Sequence, residues 1–404
     1  MTSEVLVMNS MAVVLAADSA LTRRSSNPNI QHYSNGGNKI FSLSTKKRAN
    51  IGIMIYNSMD ICGAPWELLI KSFRHENNGK TFKTVKECSD KFFKFISENE
   101  TLINNEEKKK NFIQEIFSIL KRYANIPKHE VKKTFEIYQK ENSVSSDLDD
   151  DQNILLKEII SNYTQWINTQ NEKKSEEEKI QILDENFCTL IFKHCLFDKE
   201  YYQYTNNYTG IILSGFGQEE DYPSYIENKC YGFSPYNLRL HKTNGFSITN
   251  SQHSCISGFA QSEMLKLLLN RFDEKMHHNI METFLNKVLT TLENLKIDKD
   301  AQLKIVRNIE QESIKKYQAH RFEKFEEPLT ESVSAMSILE LSTLAKTIVE
   351  LEALNERLSE PSQSVGGPTD IISITKNEGL IWIKRKHYFE KDLNPSYFEN
   401  LNLN

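Results

Sequence analysis

The 404-residue sequence has no uninterrupted stretch approaching the ~18 apolar residues that a membrane-spanning helix needs. Residues 5–17 come nearest to a secretory leader, but no basic stretch precedes them, and Asn9 and Ser10 break the run. Paired cysteines are missing as well. The six cysteines (Cys62, Cys88, Cys188, Cys195, Cys230 and Cys255) are scattered without a CxxC spacing. That pattern suggests neither a disulfide frame nor a zinc site and fits reduced cytosolic thiols. Excess positive charge is absent: 50 Lys and Arg against 55 Asp and Glu leave a formal net charge of -5, which offers nucleic acid no basic face. Gly79-Lys80-Thr81 matches only the end of a phosphate-binding loop, since the glycine required before it is lacking. The expectation is a cytoplasmic globular chain without nucleic-acid or membrane partners, long enough for one large domain or two modest ones.

Strand signals open the chain, at residues 5–7 and 12–17, with a polar turn at Asn9-Ser10 between them. Residues 23–37 are polar and turn-rich. Residues 39–43 and 51–56 are again strand-like, joined by the basic turn Lys46-Lys47-Arg48, and a helix is predicted over 64–74. From about residue 75 to 205 the composition shifts to Lys, Glu and Asn with apolar residues at helical spacing, as in Phe112, Ile116, Ile119 and Tyr123. Its charge runs at 106–110 and 172–179 read as solvated helix faces, with docking of a partner protein the alternative. Strand signals return at 209–213, 222–226 and 246–249; helical periodicity fills 261–358, and strands are predicted at 370–375 and 380–384. The expected division is 2–74 and 206–404 as two parts of one α+β unit, with 75–205 a helical insertion.

Amide hydrolysis needs a nucleophile, a base and stabilisation of the oxyanion. An N-terminal threonine offers the first two together, because its hydroxyl attacks and its own α-amine, with a pKa near ~8, takes the proton. Met1-Thr2 is a bond that initiator-methionine removal tolerates, although many ordinary proteins begin the same way. Asp18 ends the apolar run 13–17, where it either closes a strand or orients a neighbouring ammonium. Lys39 opens another apolar strand; it is either a surface residue or a charge that favours an alkoxide.

Residues Thr2-Ser3-Glu4-Val5 through Val13-Val14-Leu15-Ala16-Ala17-Asp18-Ser19-Ala20-Leu21-Thr22 resemble the opening of proteasome β subunits and HslV, and Asn38-Lys39-Ile40-Phe41 resembles that family's catalytic-lysine strand. Ile256-Ser257-Gly258-Phe259 is similar to its Gly-Ser-Gly turn, and residues 365–374 to its last strand entry. The resemblance implies a four-layer αββα sandwich of the N-terminal-nucleophile (Ntn) hydrolase type, here with large helical insertions. It implies Thr2 as nucleophile and base, Asp18 and Lys39 as a supporting ion pair, and Ser257 and Ser364 as contacts to the threonine amine. Asn57 stands where the family has an oxyanion-binding glycine, so its backbone N–H is retained but a side chain is added. The specificity pocket is implied to be Leu21, Gly37, Ile55 and Met59, an uncharged set suited to apolar side chains.

The expected activity is therefore a threonine-type peptidase needing no metal or organic cofactor, acting on a peptide or protein substrate. Relatives of this kind form rings, which makes a homo-oligomer the expectation. A non-catalytic scaffold of the same fold and a hydrolase of a small non-peptide amide are the alternatives. His253 and Cys255 offer a thiol alternative, against which a buried structural cysteine is the simpler reading. His194-Cys195 lies in an apolar helical stretch, and His277-His278 lacks a ligand partner at i+4.

Overall fold

The computed structural model describes residues 3–24, 31–43, 50–140, 147–172, 174–175, 179–197, 208–270, 274–359, 366–387 and 389–396. The chain opens with the hairpin β1 (Ser3–Asn9) and β2 (Ala12–Ala17). Asn9 closes it: its side-chain oxygen accepts from the backbone N–H groups of Met11 (3.0 Å) and Ala12 (3.2 Å). This is the local bonding that makes asparagine a turn residue. Then come β3 (Leu21–Arg24), β4 (Gln31–Ser34), β5 (Ile40–Ser42), β6 (Ile51–Asn57), β7 (Asp60–Ile61) and β8 (Ala64–Pro65), and the helix α1 (Trp66–Glu76).

Next are α2 (Val85–Glu98), α3 (Asn105–Ala124), α4 (Lys128–Lys140), α5 (Asp150–Asn171) and α6 (Glu185–Phe197). Four strands follow, β9 (Thr209–Gly215), β10 (Ser224–Ser234), β11 (Asn237–Ser247) and β12 (Ser254–Ala260). Helices α7 (Glu263–Asn270), α8 (Glu274–Asn294), α9 (Lys299–Arg321), α10 (Glu327–Ala335) and α11 (Ile338–Ser359) lead to β13 (Asp370–Thr375) and β14 (Gly379–Lys384).

Among the described residues ten of these strands build two five-stranded antiparallel sheets, ordered β12-β1-β2-β13-β14 and β11-β10-β9-β6-β5, while β3 pairs with β4 and β7 with β8. The chain is thus a mixed α/β protein with antiparallel sheets. Strand alternation sorts side chains into separate cores. Leu6 and Met8 of β1 join Val13 and Leu15 of β2 and meet Met54, Tyr56 and Ile212 from the second sheet. Val5 and Val7, on the other face, pack with Val14 and Ala16 against Leu341, Ala345, Ile348 and Val349 of α11. Ile53 and Ile55 of β6, with Ile211 and Leu213 of β9, pack on Trp66, Leu69 and Phe73 of α1 and Phe92 of α2. Both faces of β1, β2 and β6 are covered, which is why their sequences read as apolar runs instead of alternating.

A separate core joins α3, α5 and α6 through Phe112, Ile116, Ile159, Tyr163, Phe187 and Phe192. Helix α2 instead contributes Val85, Cys88, Phe92 and Ile96 to the core beneath the second sheet. Within the charge run at 106–110, Lys108 is buried at 2% exposure, and its Nζ lies 4.8 Å from the Phe233 ring centroid. Part of that expected solvated face therefore docks on β10. Two strands differ from expectation in extent. β10 and β11 run well beyond 222–226 and 246–249, because Glu227, Asn228 and Lys229 interrupt the apolar pattern and β11 is a largely exposed edge strand whose polarity hides it. Residues 256–259, expected as a turn, lie inside β12. Gly258 is needed there for close packing, since a Cβ would meet Leu265 and Ser262 at 2.7 Å. Among the described residues no helix is long and apolar enough to cross a membrane.

Candidate active site at the start of β1

Asp18 follows β2 and is 2% exposed; Lys39 precedes β5 and is 1% exposed. Antiparallel pairing of β1 with β2 brings the carboxylate level with the first described residue. Ser3 N–H donates to Asp18 Oδ1 at 3.1 Å, and Asp18 N–H donates back to the Ser3 carbonyl at 3.2 Å. The Lys39 ammonium donates to the same Oδ1 at 2.5 Å. Asp18 Oδ2 accepts from Ala20 N–H (3.2 Å) and Gly366 N–H (3.0 Å). A buried charge with these partners is compensated on every side. Lys39 is held from its own backbone too, its carbonyl accepting from Ile55 N–H at 2.9 Å. A cleft of about 290 Å³, bounded by Asp18, Gly366, Gly367, Ala353 and Arg357, approaches the pair from the side of α11.

A second carboxylate completes the group. Glu4 Oε1 lies 3.5 Å from Lys39 Nζ, and Glu4 is 0% exposed. Sequence reasoning passed over Glu4, although a signal was present: it alternates with Leu6 and Met8 on the face that forms the core between the sheets. Nearby, the Tyr56 hydroxyl donates to Glu227 in a short buried hydrogen bond. Burial, and next the Glu227 charge, push the Tyr56 phenol far above its ordinary range, so it stays a neutral donor.

The ends of β6 and β12 meet through Tyr56 and Phe259, whose stacked rings lie 6.0 Å apart. Each ring is followed by a non-glycine residue in the left-handed region, Asn57 (φ 71°) and Ala260 (φ 58°). Asparagine tolerates that conformation better than most residues, which accounts for it at a position where glycine would also fit. The added amide donates to the Tyr208 carbonyl at 2.8 Å. Ala260 pairs directly with Ser3.

The remaining expected residues scatter. Thr2 and Ser364 lie outside the described residues. Ser257 pairs with Leu6, three steps from the Ser3–Ala260 pair and so roughly 10 Å along the strand at ~3.3 Å per residue. Its hydroxyl is 2.9 Å from that of Tyr225 and 3.5 Å from the Cys255 sulfur. This corrects its expected place in a turn beside the chain start. Leu21 and Gly37 do adjoin: a Cβ on Gly37 would meet the Leu21 side chain at 2.5 Å. Ile55 is 0% exposed on the helix-facing side of β6, opposite in direction to Tyr56, and Met59 packs against the same core.

The Cys255 thiol is pushed up by burial, contrary to what a thiol nucleophile needs. Among the described residues no group of three His, Cys, Asp or Glu could hold a metal ion.

No family model matches the chain, and no curated protein matches it. Among solved structures, Anbu (ancestral beta-subunit) from Yersinia bercovieri is 10% identical, with 99% of this chain and 95% of that chain covered and a TM-score of 0.31. Anbu from Hyphomicrobium sp. strain MC1 is 8% identical over 99% and 95% of the two chains, at a TM-score of 0.32. The helical assembly of the Anbu complex from Pseudomonas aeruginosa is likewise 8% identical, over 99% and 94%, at 0.30. These named neighbours are Anbu chains and not HslV or proteasome β subunits. The assignment to proteasome β subunits and HslV drawn from the sequence is corrected on that finding.

Proposed function

We propose that this chain is a threonine-type amide hydrolase whose nucleophile and base are the hydroxyl and α-amine of Thr2, exposed by removal of Met1. One observation carries the reading. Ser3 N, the atom bonded to the Thr2 carbonyl carbon, donates to the carboxylate that also holds the buried Lys39 ammonium. The residue before Ser3 is thereby tied covalently within one position of a preorganised cation.

In this mechanism the α-amine takes the hydroxyl proton while the oxygen attacks the substrate carbonyl. Positive charge on Lys39 lowers the cost of the alkoxide. The backbone N–H of Asn57 is the candidate donor to the tetrahedral oxyanion. Collapse expels the amine with the proton returned from the Thr2 ammonium and leaves an ester on Thr2; water activated by the same α-amine then releases the acid. Peptides are the substrate class we favour, with Leu21, Gly37, Ile55 and Met59 as the candidate specificity pocket. Ser364 is the candidate contact to the amine.

We further infer a helix–sheet–sheet–helix layering from the three cores around the sheets, divided as 2–74 and 206–404 with 75–205 as a helical insertion whose first helix, α2, packs on the second sheet. Met276, Ile280 and Phe284 form an exposed stripe at four-residue spacing on α8, a surface suited to homo-oligomer contacts. The test is an epoxyketone or β-lactone probe followed by intact-mass analysis and mapping. A single adduct on an N-terminal Thr2 is expected; a chain that retains Met1, or carries its adduct elsewhere, overturns the mechanism. The scaffold reading has one observation in its favour, the Asn57 side chain at the rim of the site, and it requires no adduct at all.

A further inference from the structure

The Lys39 ammonium faces two carboxylates, and the sequence pattern for a threonine hydrolase calls for only one. Asp18 cannot give Lys39 its undivided charge. Its two oxygens also accept from the backbone N–H groups of Ser3, Ala20 and Gly366, at 3.0–3.2 Å. Each of those donors draws on the same negative charge. A charge at 1% exposure is costly to bury with only a shared counter-ion. Glu4 supplies a second counter-charge, with Oε1 at 3.5 Å from Nζ.

The placement of Glu4 is costly in itself. It is 0% exposed, it opposes Phe259 of β12 and Ala17 of β2, and it shares its strand face with Leu6 and Met8. Burying a carboxylate in such surroundings is unfavourable unless a cation compensates it, and a neutral side chain would fit the packing at lower cost.

We propose that Glu4 is a positioning residue of the Thr2 site: its carboxylate, the second on Lys39, keeps that buried side chain cationic and directed toward the chain start. The inference rests on the proposed hydrolase reading for its consequence in catalysis, though not for its effect on Lys39. Among the described residues, the carboxylates paired with Lys39 are Asp18 after β2 and Glu4 on β1, with Tyr56 on β6 and Glu227 on β10 beyond Glu4. Tyr56 stays neutral and donates to Glu227, so within ion-pair reach of the ammonium Glu4 and Asp18 supply the negative charge.

The experiment compares the parent with Glu4→Gln and Glu4→Asp, all free of Met1. Lysine side chains are labelled with carbon-13 at Cε, and the Lys39 signal is assigned through Lys39→Arg. The Lys39 titration midpoint is expected to fall by about one pH unit or more in Glu4→Gln, and by less in Glu4→Asp. The alkaline limb of Thr2 acylation by a β-lactone, read by intact mass, should move down in step, with the half-saturating probe concentration unchanged. Equal midpoints in parent and Glu4→Gln overturn the proposal. If Glu4→Gln does not fold, Glu4→Asp carries the test alone, and a parental midpoint in it is equally fatal. A parent that takes no adduct on Thr2 sinks the hydrolase reading instead, while the lysine titration still judges Glu4.

Discussion

Lys39 and Asp18, 21 positions apart in the chain, meet at 2.5 Å inside the protein, where neither side chain is more than 1% exposed. Such a pair is poor support for stability, because two charges must be stripped of water to make it. Its position beneath the first residues of β1 fits a role in charge stabilisation at the chain start.

Thr2→Ala is expected to remove both hydrolysis and probe labelling while leaving the circular-dichroism spectrum and melting temperature near the parental values. Thr2→Ser should keep measurable turnover, since hydroxyl and amine retain their relation. Parental activity in Thr2→Ala would falsify the mechanism.

Removing one member of the ion pair should damage stability and turnover together. Lys39→Ala leaves two buried carboxylates without their cation, and Asp18→Asn leaves three backbone donors with a weaker acceptor. Each is expected to cost roughly 3–5 kcal/mol in urea unfolding. Turnover of the folded fraction of Lys39→Ala should drop by about 10²–10³-fold, the scale of one preorganised electrostatic group. A folded variant with parental kcat removes Lys39 from the mechanism.

Thiol reagents should spare the activity. Burial pushes the thiols of Cys62, Cys188 and Cys230 up to about 12 and raises that of Cys255, so at pH 7.5 they are protonated and slow to react. Iodoacetamide at that pH is expected to leave Thr2-dependent hydrolysis unchanged over an hour. Loss of activity in proportion to modification of Cys255 would revive a thiol mechanism.

Glu352 on α11 supplies a pH signature. Its carboxylate accepts from Met264 N–H (2.6 Å) and Leu265 N–H (3.2 Å) at the start of α7, yet burial raises its pKa above the ordinary 4.5. An acid whose folded pKa is raised binds its proton more tightly in the fold. Its contribution to stability is therefore present at low pH and lost as pH rises past the ordinary carboxylate value. Relative to the parent, Glu352→Gln should gain melting temperature between pH 4 and pH 7. A difference that stays constant across that range contradicts the burial of this carboxyl.

The strands β1, β2, β6 and β13 were legible from their apolar runs, and α1 and α11 from helical periodicity, because burial on one or both faces writes itself into local composition. Asp18 and Lys39 were legible as candidates for the same reason, each being a charged residue set against an apolar strand. Glu4 was passed over and Ser257 was expected in a turn, since their places depend on register and face. A one-residue step along a strand turns a side chain from one core to another, and that is what separates Ile55 from Tyr56. Composition and patterning by themselves determined that this chain places apolar strands toward both ends and in the middle, with long helical stretches between them. Only the tertiary structure decided which carboxylates share the lysine, because pairing of β1 with β2 and β12 sets distances that no local stretch of sequence encodes.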